Sequence, residues 1–173
     1  SSALLDFINQ EVIPGTDIKI VVTADGYKQK AVKVREFHTS KSSVLGGFAG
    51  AAADALTLFE KFEQKLDQYE GDLKRSVVEL AKDWRTDKIL RHLDAMLVVM
   101  DKKFSFIISG DGNVIEPDGP VVSIGSGGGF AQAAAMAFLK SSKLNSRQVA
   151  QKSLEIAASL CIYTNDSITV LEI

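Results

Sequence analysis

The chain has 173 residues, of which 46% are hydrophobic and 24% charged, and a net charge of −2. That length suits one folding unit, predicted here as a single domain over residues 1–173. The apolar content excludes general disorder, and Lys and Arg scattered among Asp and Glu give no basic face for a nucleic-acid backbone.

The first third reads as strands. "EVIPGTD" carries Pro-Gly turn punctuation and "DIKIVVTADG" is rich in β-branched residues, which predicts a hairpin near the N-terminus. "AVKVREF" alternates apolar and polar residues, and "SSVLGGFAG" closes an apolar run in glycines, predicting two further strands with a backbone-exposed bend after the second. From about Ala51 the period becomes helical. Leu56, Phe59, Phe62 and Leu66 form one stripe and Gly71 is the stop signal, predicting a helix near 52–69. Leu73, Val77, Leu80 and Trp84 form the stripe of a second, near 73–94, with Asp72 as its cap.

"AMLVVMD", "FSFIISGDGNVIEP" and "VVSIGSG" return to strand character, with Asp111-Gly112 as a strong hairpin signal. Helices near 130–141 and 146–162 follow, the latter opened by an Asn or Ser cap, and "SITVLEI" is the last strand. Runs of strands separated by helix pairs favour an α+β architecture, here a four-layer αββα sandwich with antiparallel sheets.

Cys161 is the single cysteine, so no internal disulfide forms. No apolar run approaches the roughly 18 residues that cross a bilayer, and no signal peptide is visible. The expected setting is the cytoplasm or an organelle matrix, with no membrane partner. "IGSGGGFAQ" sets a strand, a glycine loop and a helix in series. It lacks the Lys-Ser/Thr pair of a phosphate loop and reads better as a turn where backbone approaches backbone. His38 and His92 are far apart in sequence, with no Cys or carboxylate cluster at metal-ligand spacing around either, and read as surface residues, and Trp84 reads as core.

"GGFAGAAADALTLFEKFEQKL", "VELAKDWRTDKILRHLDAMLVV", "SGDGNVIEPDG", "IGSGGGFAQAAA" and "IAASLCIYTND" together resemble the HslV (ClpQ) peptidase family, bacterial and organellar relatives of the proteasome β-subunits. The resemblance runs from about Val32 to the C-terminus. It implies the N-terminal nucleophile hydrolase fold and an ATP-dependent protease. Homo-oligomeric double rings would enclose a chamber where unfolded protein substrates are cut, fed by an HslU-type AAA+ unfoldase. ATP would be used by that partner, and this chain would need no organic cofactor. In such a site the residue at the mature N-terminus supplies the hydroxyl, and its own α-amine, with an ordinary pKa of roughly 8, is the base.

The resemblance gives Lys33 in "AVKVR" the role of the active-site lysine, Gly47 in "GGFAG" that of the oxyanion-hole amide, and Ser126 in "GSGG" that of a serine hydrogen-bonding near the N-terminus. Ala158, Cys161 and Thr164 fall where the family holds a monovalent, sodium-like cation through backbone carbonyls. Before Val32 the wording departs from the family's Thr-Thr opening, and two registers are open. Counting without gaps, Ser1 is the nucleophile and Asp17 the carboxylate that pairs with Lys33. Reading "VVTADG" as the turn-bearing strand makes Asp25 that carboxylate, with Ser1 still first. Thr16 becomes the candidate nucleophile if residues 1–15 are a propeptide. Serine for threonine keeps hydroxyl and amine but loses the methyl that stiffens χ1, so activity is expected to be reduced. A non-catalytic ring subunit is the alternative.

Overall fold

The structure, a computed structural model, describes residues 4–8 and 19–24 as paired strands and residues 33–162 and 168–173 throughout. Nine strands and four α-helices are assigned among them: β1 (Leu4–Ile8), β2 (Lys19–Ala24), β3 (Val34–His38), β4 (Ser43–Gly50), α1 (Ala52–Gln68), α2 (Leu73–Thr86), β5 (Ala95–Met100), β6 (Ser105–Ser109), β7 (Val114–Ile115), β8 (Val121–Ile124), α3 (Gly128–Ser141), α4 (Ser146–Leu160) and β9 (Ile168–Glu172). A four-stranded sheet has the order β8-β1-β2-β9 and a five-stranded sheet the order β3-β4-β5-β6-β7. Every pairing is antiparallel. Helices α1 and α2 cover the five-stranded sheet, α3 and α4 cover the four-stranded one, and β1 and β2 lie against β4 while β9 lies against β3. This is the αββα sandwich that the element order predicts.

Three apolar layers hold it. Phe37, Val44, Phe48, Leu97 and Val99 pack with the α1 and α2 stripes. Leu45, Ala49, Val98 and Met100 meet Val122 and Ile124 between the sheets. Val121 packs with α3 and α4, and Ile168 and Val170 join it. Because side chains alternate along a strand, β4 and β5 serve two layers at once, which is why "AMLVVM" is a continuous apolar run.

The helix limits follow from capping. Asp72 accepts the Arg75 N–H at 3.1 Å, and Asn145 with Gln148 forms a reciprocal capping box at the start of α4. The end of α1 differs from the simple glycine stop. Glu70 takes the left-handed conformation at φ 52°, and Gly71 follows at φ 79° with its N–H on the Leu66 carbonyl at 2.8 Å. The α1 stripe is also offset from the expected one. Ala55, Leu58, Phe59, Phe62 and Leu66 are buried, whereas Leu56 is 41% exposed.

The second helix stops well short of residue 94. Asp87 ends α2, and its Oδ1 accepts the N–H groups of Ile89 at 2.8 Å and Leu90 at 3.0 Å, opening a separate 3₁₀ turn at Leu90–His92. Those two bonds, that from Leu90 first, hold the Asp87 carboxyl below the usual carboxylate range. The Asp111-Gly112 hairpin forms as expected, with Gly112 at φ 83° between β6 and β7.

One glycine positions the next element rigidly. Gly50 leaves β4 for α1 at φ +115°, and a Cβ there would lie 2.7 Å from the Asp94 carbonyl oxygen. Gly50→Ala is therefore expected to lower unfolding stability by about 2–3 kcal/mol, measured as a lower urea midpoint at unchanged slope.

Candidate active site

Strand pairing decides which of the predicted residues can meet. Leu4, at the N-terminal end of β1, is in register with Thr23 on one side and Ile124 on the other. β2 ends one residue later at Ala24, and β8 ends at Ile124, two residues before Ser126. The start of β1, the end of β2 and the glycine turn therefore share one end of the four-stranded sheet. The other end of β1 is where Ile8 pairs with Lys19.

The turn after β8 is built tightly. Gly125 takes φ 95°, Gly128 N–H donates to the Gly125 carbonyl at 3.1 Å, and the Ser123 hydroxyl donates to the Gly128 carbonyl at 2.8 Å. A Cβ at Gly128 would stand 3.3 Å from Ser123 Oγ. Backbone does approach backbone here, as the glycine run predicts. Ser126 is exposed at the tip of this turn, and its Oγ lies 3.9 Å from Cys161 Sγ. Ser126 and the C-terminal cap of α4 are thus neighbours.

In the five-stranded sheet, Lys33 immediately precedes β3 and is only 6% exposed. Its carbonyl accepts the Phe48 N–H at 3.1 Å, and its Nζ stands 5.7 Å from the centre of the Phe48 ring. Gly47 lies in register with Val34 and with Val98. By alternation Gly47 shares the inter-sheet face with Leu45 and Ala49, so any side chain there would enter the space between the sheets. Gly46 faces the helices, where a Cβ would come within 2.8 Å of Phe37 Cε2. Val34 and Ile124, which flank Lys33 and the glycine turn, belong to the same inter-sheet cluster.

Ala158 is half-buried in the last turn of α4, and Cys161 is its buried cap, with its N–H on the Ala157 carbonyl at 2.8 Å. Ser1, Thr16, Asp17, Asp25 and Thr164 lie outside the described residues. His38 and His92 are exposed and Trp84 is fully buried, as expected. Phe48 was missed as a site residue. Its only sequence signal is its place beside Gly47, since its contact with Lys33 depends on strand pairing.

Among the described residues no three His, Cys, Asp or Glu side chains gather where they could hold a metal, and no helix is long and apolar enough to cross a membrane.

The proteasome subunit family model matches residues 15–173. The chain is 51% identical over 164 residues to the ATP-dependent protease subunit HslV of Caldicellulosiruptor saccharolyticus, covering 90% of this chain and 92% of that protein. Its structure is similar to that of eukaryotic HslV from Trypanosoma brucei, with a TM-score of 0.85, 34% identity and 98% of each chain covered. It also shares its fold with Thiobacillus denitrificans BPH in complex with epoxomicin, at a TM-score of 0.74 and 14% identity over 99% of this chain and 97% of that one. The likeness thus extends past Val32 into the N-terminal third, where wording alone shows divergence. With the sandwich, its glycine turn and the lysine before β3 in place, the chain belongs to the proteasome family, and within it to the HslV peptidases.

Proposed function

We propose that the chain is the proteolytic subunit of an ATP-dependent protease, with the Ser1 hydroxyl as nucleophile. The observation that carries this reading is the place of β1, an interior strand whose first residue pairs beside the ends of β2 and β8. Ser1 precedes that strand by three residues. Cleavage before Thr16 would instead remove β1 from the middle of its sheet. The Ser1 amine takes the hydroxyl proton as Oγ adds to the scissile carbonyl. It then passes the proton to the leaving amine, and water releases the acyl group by the reverse sequence.

The Lys33 ammonium lowers the pKa of the amine and so keeps it neutral near pH 7. Backbone N–H at Gly47 meets the oxyanion, and the Ser126 hydroxyl holds the N-terminal residue. Asp25 is the carboxylate partner of Lys33. It follows the end of β2 that pairs with Leu4, whereas Asp17 precedes the end that pairs with Ile8, about 13 Å along the strand.

A sodium-like cation fits the end of α4. The last carbonyls of a helix lack intrahelical partners and carry the negative end of its dipole, which suits backbone ligation by Ala158 and Cys161, with Thr164 completing the set. When bound, the cation supplies positive charge that orders these carbonyls beside Ser126. Exposed apolar residues on the helices, among them Leu56, Val78, Phe130, Met136 and Leu160, support burial between copies in a double ring. The partner is an HslU-type unfoldase that spends ATP and delivers unfolded protein.

The test is covalent labelling with a peptide epoxyketone in the presence of the unfoldase, together with hydrolysis of a fluorogenic peptide. Mass spectrometry is expected to find the adduct on Ser1. An adduct on Thr16 would replace the nucleophile. Neither adduct nor hydrolysis would make this a non-catalytic ring subunit.

A further inference from the structure

The ammonium of Lys33 is drawn out of water, and one neighbouring residue contacts it at both ends. Phe48 donates its N–H to the Lys33 carbonyl at 3.1 Å, and its ring centre lies 5.7 Å from Nζ. Phe48 is fully buried, and its ring is fixed by an edge-on contact with Phe59, at 5.5 Å and 73°. Phe59 is fixed in turn against Phe37, at 5.4 Å and 84°. Gly46 is what admits these rings, since any Cβ there would collide with Phe37. The outcome is an aromatic face held in one orientation beside a lysine that is 6% exposed.

We propose that Phe48 is a positioning residue for peptide hydrolysis, its ring face holding the Lys33 ammonium in place by cation–π attraction, in addition to the other contacts Lys33 makes. This rests on the proposed role of Lys33. Attraction to the negative face of a ring strengthens as the cation loses water, and ordinary values correspond to roughly a 2- to 30-fold population effect. Phe48 touches neither substrate nor scissile bond in this scheme. Its contribution is to keep Lys33 where the charge acts on the N-terminal amine.

Fluorination of the ring tests this with little change of shape, because successive fluorines remove the negative face and leave the apolar bulk. Phe48 is replaced by mono-, tri- and pentafluorophenylalanine in the full chain, assembled with its unfoldase. Phe62, fully buried in the same layer, is replaced likewise as control. The expected result is a stepwise fall in kcat across the Phe48 series, reaching about 2- to 30-fold at five fluorines, with KM unchanged and no fall in the Phe62 series. Equal kcat in both series, or a fall shared by both, overturns the inference. Lys33→Met separates the two readings. If that variant retains full kcat, the role of Lys33 fails. If it is inactive while the Phe48 series stays flat, only the positioning role of Phe48 fails.

Discussion

One residue added ahead of Ser1 should lower peptide hydrolysis by about 10²–10⁴-fold while ring assembly and unfoldase binding stay intact. The extension turns the Ser1 amine into an amide nitrogen, which has no basic lone pair, so the hydroxyl loses its proton acceptor. Ser1→Ala should remove activity more completely, because it deletes the nucleophile itself. Ser1→Thr should preserve or raise activity, since the added methyl restricts χ1 without touching hydroxyl or amine. Rates with a fluorogenic peptide, read beside light scattering of each variant, check all three. An extended chain as fast as the parent would place the chemistry elsewhere, with Thr16 the next residue to test.

Neutralising Lys33 should be nearly as damaging. Lys33→Met keeps most of the buried apolar stem and removes the charge, so about 10²-fold or greater loss of kcat is expected with the fold retained. The residual activity should carry a signature. Without a nearby ammonium the amine pKa rises toward its ordinary value of roughly 8, so the acidic limb of the pH profile should move to higher pH. A variant whose profile kept its shape and position would show that Lys33 does not tune the base.

Much of the sandwich can be read from hydrophobic period and turn chemistry, and the discrepancies are physical. In "ADALTLFEKF" both Leu56 and Leu58 fit a helical repeat with Phe62, and small Ala55 does not announce itself as core. Phe59 is expected from the period, but only packing selects Ala55 and Leu58 over Leu56. The overlong second helix has a similar origin. Residues 73–94 contain no Pro or Gly to stop a helix, but Asp87 captures two N–H groups and starts a new turn, a local hydrogen bond that periodicity cannot register. Glu70 at a left-handed position is hidden in the same way, with Gly71 beside it drawing the eye.

The candidate site was legible only where residues carry a family's wording. Lys33 and Gly47 are far from Ser126 in sequence, and what antiparallel pairing and packing bring together is their flanking residues Val34 and Ile124, in one cluster between the sheets. Nothing in "AVKVREF" alone says that Lys33 is buried or that its ammonium lies beside an aromatic ring. The approach of Cys161 Sγ to Ser126 Oγ joins two motifs 35 residues apart and likewise has no local signal.

The strand order also bears on the sequence of folding events. The whole five-stranded sheet and its two covering helices come from the contiguous stretch between Val34 and Ile115, each pairing linking consecutive strands. In the four-stranded sheet β1 must find β8 and β2 must find β9, partners more than a hundred residues apart. Closing loops of that length costs chain entropy before any contact rewards it, so the central half is the kinetically accessible nucleus and the N-terminal hairpin docks late. The strand that presents the N-terminal residue therefore joins a scaffold already standing, and the same order leaves the outer edge of β2 open until β9, the last segment of the chain, arrives.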